Sequence, residues 1–230
     1  MKFETLLVGA PLNQSPAPEL QWVEVSSSLQ IPAFHIIGLP GPEVSEARER
    51  VRSAIDSSGL EFPRRRVVLN LSPASIRKQG TGLDLAMALA ILNHDTLLKQ
   101  RPGPHQSNDT PLRIIAWGEL GLDGSIKDAG HRMRTLYSAM LEKVDCVVLP
   151  PHPKNEEALE LLRKGENGKE IRIQIVTALT LIEAWMKIQE LQRGDPPSSL
   201  SLPALQSTAA PEVAATDTTV PGPKSRRTRV

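Results

Sequence analysis

An α/β fold is the class this sequence predicts, and three observations predict it. Short runs rich in Val, Ile and Leu, bounded by Gly or Pro, alternate with longer segments whose apolar residues recur at three- and four-residue steps. The apolar share is 40% and the charged share 23%, the balance of a chain with a buried core and a wetted surface. Its 230 residues suffice for one domain of ordinary size plus a tail, and for a core that needs no disulfide staples.

Taken in order, Thr5–Gly9 is a first strand; with Glu4 and Pro11 flanking it, the run is too short for the apolar region of a signal peptide. Asn13–Glu19 reads as a loop, Gln21–Ser27 as a strand, and Ala33–Gly38 as another, stopped by Leu39-Pro40-Gly41-Pro42. A helix follows. Pro42 fits a first helical turn, Glu43 complements the helix dipole there, and Val44, Ala47, Val51, Ala54 and Ile55 make one apolar stripe before Gly59 ends it. Arg48, Glu49, Arg50 and Arg52 are its charged remainder. Arg66–Leu71 is a strand stopped by Ser72-Pro73, and Leu83–Leu92 a buried helix entered from a Gly-rich turn and followed by His94-Asp95. Lys99–Thr110 reads as a mobile surface loop. Arg113–Glu119 is a strand, Leu122–Ser125 a hairpin turn before Ile126, His131–Lys143 a helix and Asp145–Leu149 a strand ended by Pro150-Pro151. Asn155 caps a helix through Leu162, Ile171–Val176 is a strand, and Ala178–Leu191 is a last helix with Leu181, Ala184, Trp185 and Ile188 inward. The expected domain is 1–193. Residues 194–230, rich in Pro, Ser, Thr and Ala, read as a disordered tail with a basic end, Lys224–Arg229.

Composition also excludes functions. With Lys+Arg at 27 and Asp+Glu at 26, the net charge of +1 supplies no global field for nucleic acid or an anionic membrane. Cys146 is alone, which excludes an intrachain disulfide or a Cys-built zinc site and fits a reducing, cytoplasmic setting. No apolar run approaches the ~18 residues of a membrane span. Gly168-Lys169 is followed by Glu170 and position 163 is Arg, so the phosphate-loop string is missing; after Gly80-Thr81-Gly82, Leu85 stands where a dinucleotide fingerprint needs Gly. None of the histidines, His35, His94, His105, His131 and His152, pairs with another at helical spacing. No cofactor or metal is therefore expected. Ser75-Ile-Arg-Lys78 matches Ser-x-x-Lys, but the Ser-Asp-Asn and Lys-Thr-Gly companions of that chemistry do not occur.

Several longer strings stand in a specific order. They are Gly38-Leu-Pro40, Val44–Ile55, Ser58-Gly-Leu-Glu-Phe-Pro63, Val68-Leu-Asn-Leu-Ser-Pro-Ala74, Arg77-Lys-Gln-Gly80, Leu83-Asp-Leu85 and Trp117-Gly-Glu-Leu-Gly-Leu-Asp-Gly124. Together, over about residues 1–192, they resemble the amino-terminal module of the ComM/YifB proteins, the Mg-chelatase-like or ChlI-type family. The resemblance implies the α/β fold of ribosomal protein S5 domain 2, related to the Lon protease domain. It also implies a module that precedes a AAA+ ATPase domain, in proteins resembling a hexameric DNA-translocating motor linked to natural transformation. These 230 residues run from the last helix into the Pro/Ser/Thr-rich stretch, so ATP hydrolysis and magnesium chelation are not carried over. Gly41 replaces the acidic residue usual after Gly-Leu-Pro.

Aligned to Lon-type peptidases, Gly82 falls where the nucleophilic Ser would stand and the Lys position falls near Met133, and neither can do that chemistry. The expectation is thus a non-enzyme acting through protein contacts. Its partners would be copies of itself or a AAA+ motor supplied in trans, with weak nucleic-acid contact through the basic tail and no membrane. Arg77 and Lys78 beside Gly80, with Arg64 and Arg65, form the candidate interaction surface. Asp84, at the start of an apolar helix, is the candidate helix cap. Two rivals remain: a hydrolase using Ser75 or Ser72 with Lys78, and a nucleic-acid binder using Arg64–Arg66 and the tail.

Overall fold

The computed structural model describes residues 6–12, 19–99, 111–153 and 173–194. Nine strands and four helices lie among them: β1 (Leu6–Pro11), β2 (Leu20–Ser28), β3 (Ala33–Ile37), α1 (Pro42–Ser57), β4 (Arg66–Ser72), α2 (Asp84–Lys99), β5 (Leu112–Ala116), β6 (Glu119–Leu120), β7 (Ile126–Lys127), α3 (Arg132–Leu141), β8 (Cys146–Leu149), β9 (Gln174–Thr177) and α4 (Leu181–Arg193). Seven strands form one sheet in the order β3-β4-β2-β1-β5-β8-β9, and β6 and β7 form a separate hairpin. β3 runs parallel to β4, and β1, β5, β8 and β9 run parallel in turn; β2 alone is antiparallel to both its neighbours. The predicted α/β class is the observed one.

Strand alternation decides which face is covered. Val8 faces Val23 and Ile114, and Val23 faces Leu71, so these side chains share one side of the sheet and are buried. The predicted stripe of α1, from Val44 to Ile55, is wholly buried. α2 lies over β1 and β2 beside α1, and its residues from Asp84 to Asn93 are buried on every side. α4 packs on β9 and α2 through Leu181, Ala184, Trp185 and Ile188, the predicted inner face. Over β2, β4 and β3 the opposite side of the sheet is open: Glu24, Ser26, His35 and Ile37 are exposed, and Asn70 donates to Glu24.

Some boundaries differ from expectation. α2 runs past His94-Asp95 to Lys99 because those polar side chains find partners: His94 Nε2 bonds Ser27 Oγ at 3.0 Å and Asp95 pairs with Lys99 at 2.7 Å. β5 ends at Ala116, three residues before Glu119: Trp117 N still donates to Val148 O of β8 at 3.1 Å, but Gly118 turns its N–H to Gly82 O at 2.9 Å and holds the turn before α2. α3 is shorter than expected; His131 and Lys143 both have positive φ, 55° and 50°, outside its ends. The regions expected to be the loop after Asn13, the loop before Thr110, the helix capped by Asn155 and the tail from 195 onward lie outside the described residues.

Candidate functional site

The segment 73–84 joins β4 to α2 and carries most of the sequence candidates. Its backbone is tied to the turn before α1. Lys78 N donates to Leu39 O at 3.0 Å and Gly41 N donates to Lys78 O at 2.8 Å, a parallel bridge between Pro40 and Lys78. A Cβ on Gly41 would collide with that carbonyl, which accounts for glycine there. Extended backbone sends successive side chains to opposite sides. Arg77 accordingly points outward while Lys78, only 1% exposed, turns in and donates its ammonium to the Pro73 carbonyl. Burial lowers the Lys78 pKa. The expected pair of surface cations beside Gly80 is therefore split, and Lys78 does not meet solvent. Gly80 keeps the left-handed φ of 87° that the turn requires. Ser75 is exposed, and the Lys78 ammonium faces Pro73 O.

Arg64 and Arg65 lie elsewhere. They precede β4, whereas Arg77 follows it, so the seven residues of β4, about 20 Å of strand, separate the two groups. Arg64 is highly exposed and pairs with Glu61 at 2.9 Å. The five candidates do not form one surface.

Further along, the turn closes on Trp117. Gly118 N donates to Gly82 O at 2.9 Å and Leu85 N donates to Gly118 O at 3.1 Å, which satisfies a first-turn amide of α2. A Cβ on Gly82 would fall inside the Trp117 indole. That ring is buried, donates from Nε1 to Gly130 O at 2.8 Å, and meets the His131 ring edge-on. Trp117 thus occupies the space a side chain at 82 would need, and it bridges to the segment just before Met133.

Asp84 is fully buried, and its carboxylate reaches two other elements. Arg50 of α1 donates to it twice, at 2.7 and 3.2 Å, and Leu120 N of β6 donates at 3.3 Å. The expected capping of its own helix is corrected accordingly: the side chain closes a bridge between α1, α2 and the β6–β7 hairpin. Burial pushes its carboxyl up to about 6, with Arg50 pulling the other way. The hydrogen bond that Arg50 donates to Asp84 holds its guanidinium above its ordinary value. Arg50 and Trp117 were not among the sequence candidates. The signal for Arg50 was its spacing: it lies three residues after Ala47 and four before Ala54, on the border of the apolar stripe.

The arrangement positions backbone and fills space, with the Lys78 ammonium on the Pro73 carbonyl and the Trp117 ring against Gly82. Comparison with known proteins agrees with the strings quoted above. The family described as subunit ChlI of Mg-chelatase matches residues 23–153. An uncharacterised protein of Mycobacterium tuberculosis is 28% identical over 169 residues, 74% of this chain and 30% of that protein. YifB of Salmonella typhimurium is 39% identical over 105 residues, 46% of this chain and 19% of YifB. Competence protein ComM of Haemophilus influenzae is 41% identical over 126 residues, 55% of this chain and 23% of ComM. The matches thus span less than a third of each relative's length. With more than half of its residues matched by the family, the chain belongs to the Mg-chelatase-like ChlI family, as a module of the ComM/YifB type.

Proposed function

We propose that this chain is a non-catalytic module that works through protein contacts, as the accessory part of a AAA+ motor of the ComM kind. The observation that carries the reading is the turn from Lys78 to Asp84. In it Lys78, the base of the rival hydrolase, is bonded to the Pro73 carbonyl, Gly82, in the place of a Lon-type nucleophile, lies against the Trp117 ring, and Asp84 is bonded to Arg50. Family membership supports the motor, and the name of the Haemophilus relative supports a link to competence. An absent phosphate-loop string supports a nucleotide site on another segment rather than on this one.

The test mixes this chain with the AAA+ segment of a ComM-type relative. Comigration on size exclusion is expected. Neither saturable ATP binding by calorimetry nor labelling by a serine-reactive fluorophosphonate is expected from the chain alone. Labelling of Ser75 or Ser72 that disappears in Lys78→Ala would replace this reading with the hydrolase.

A further inference from the structure

Among the described residues, the two most exposed large apolar side chains stand together at one end of the seven-stranded sheet. Leu29 and Ile31, 89% and 87% exposed, lie in the connection from β2 to β3. That connection passes over the start of β4: Ser28 faces Arg66 from one side and Ala33 faces it from the other. At the usual strand spacing its two ends are about 10 Å apart, and the chain enters β4 between them through Arg64 and Arg65. Val67 is buried under the helices, so alternation turns Arg66 to the open side of the sheet. The carboxylates around this end are taken. Glu61 is shared by Arg64 and Lys99, at 2.9 and 3.9 Å, Asp95 is held by Lys99, and Asp56 accepts from the Phe62 amide. Arg65 and Arg66 are half-buried, and among the described residues neither pairs with a carboxylate. From Val25 to Pro42 the sequence offers none, because that stretch has no Asp or Glu.

We propose that this end of the sheet docks an acidic segment of a partner protein, whose carboxylates pair with Arg65 and Arg66 while Leu29 and Ile31 enter an apolar seat between them. This deepens the reading of the chain as a contact module, and rests on it, by naming the face used and the chemistry of the contact. Charge complementarity chooses the occupant. A guanidinium presents a planar fork that a carboxylate meets with two parallel hydrogen bonds. Two such forks without a carboxylate, beside two bare aliphatic side chains, match a surface that is itself acidic and apolar. A second copy is a poor match, because it brings the same cations to the contact. A nucleic acid finds cations for its phosphates here but no ring on which to stack a base: Phe34 and Phe62 are buried and packed on each other, with centroids 5.2 Å apart. A bilayer surface favours Trp or Tyr at the headgroup level, and residues 28–33 and 61–66 include neither.

The test is fluorescence anisotropy of a labelled peptide that alternates Asp with Leu, titrated with the full chain. Saturable binding in the micromolar range is expected, weakening as salt rises and falling about tenfold or more in Arg65→Ser/Arg66→Ser. Leu29→Ser/Ile31→Ser, at positions so exposed that circular dichroism should not change, should weaken binding about threefold or more while leaving its salt dependence in place. A peptide that alternates Lys with Leu should not bind. Four results would overturn the docking: an Asp–Leu peptide that does not bind, equal binding of the Lys–Leu peptide, binding that both double variants leave unchanged, or tighter binding of single-stranded DNA or of phosphatidylserine vesicles through the same residues. None of these touches the contact-module reading, which stands or falls on comigration with the motor segment and on the fluorophosphonate probe.

Discussion

Asp84 has no surface in contact with solvent, yet it holds three elements together through one carboxylate. Asp84→Ala leaves Arg50 without its partner and the Leu120 amide buried. Breaking a buried pair costs about 3–5 kcal/mol; since the Arg50 side chain is 20% exposed and can recover some water, a loss of about 2–4 kcal/mol in urea unfolding is expected. The pH dependence has a definite sign. The folded carboxyl titrates near 6, above the 3.8 of an ordinary aspartate, so between these values the folded state binds more protons than the unfolded one. The proton-linked part of the Asp84 contribution is therefore full below pH 4 and is lost as pH rises through 6, leaving the pair with Arg50 above that range. Asp84→Asn has no such dependence, so the stability of the wild type relative to that variant should fall across this window. At Gly82, any side chain meets the Trp117 ring. Gly82→Ala is expected to cost at least about 1–3 kcal/mol by overpacking, read in the melting temperature, and Gly82→Ser should gain no fluorophosphonate labelling. These roles are only half legible in sequence. Asp84 was visible as a carboxylate entering an apolar helix, but its partner lies thirty-four residues away across a helix pair, and no local pattern links them. Arg77 and Lys78 read alike as cations; only the bridge to Pro40 decides that one points out and the other in.

Helix α4 shows how far local signals carry at the scale of an element. Thr180 takes the N-cap position, its hydroxyl accepting from Glu183 N at 3.3 Å, while Glu183 accepts from Leu179 N at 2.8 Å. Gly194 closes the other end with φ at 81°. Thr180→Ala should cost about 1 kcal/mol, or roughly 2–4 °C in melting temperature for a domain of this size. Because apolar periodicity is local, α1 was readable almost to the residue and the inner face of α4 was found, although α4 begins at Leu181 behind the Thr180 cap rather than at Ala178 and runs to Arg193 rather than Leu191. The far end of α2 was not. His94 and Asp95 look like the start of a loop until Ser27 and Lys99 are seen to answer them. The break after Ala116 was equally hidden, since Trp117 and Gly118 serve a turn more than thirty residues earlier in the chain.

For the molecule as a whole, the strand order sets a gradient. β1 and β5 sit inside the sheet, under α2, while β3 and β9 are its edges. Amide exchange should be slowest in β1, β5 and the buried turns of α2, and faster toward the edges. Alternation of strands and helices announced an α/β chain. The position of the first strand in the middle of the sheet did not follow from it, because its second neighbour is supplied by residues 112–115.

That position has a consequence in time. β1 is synthesised before β2, with which it pairs at once, but its other side must wait for β5, about a hundred residues later. At the usual 5–20 residues per second, the ribosome needs about 5–20 s to deliver it. Throughout that interval the nascent chain presents Leu6–Gly9 as an uncapped template, and the half-built sheet is open on the side that later becomes its centre. A stall in the codons between α2 and β5 lengthens that exposure directly, so the yield of folded protein should be more sensitive to translation speed there than anywhere downstream of β8.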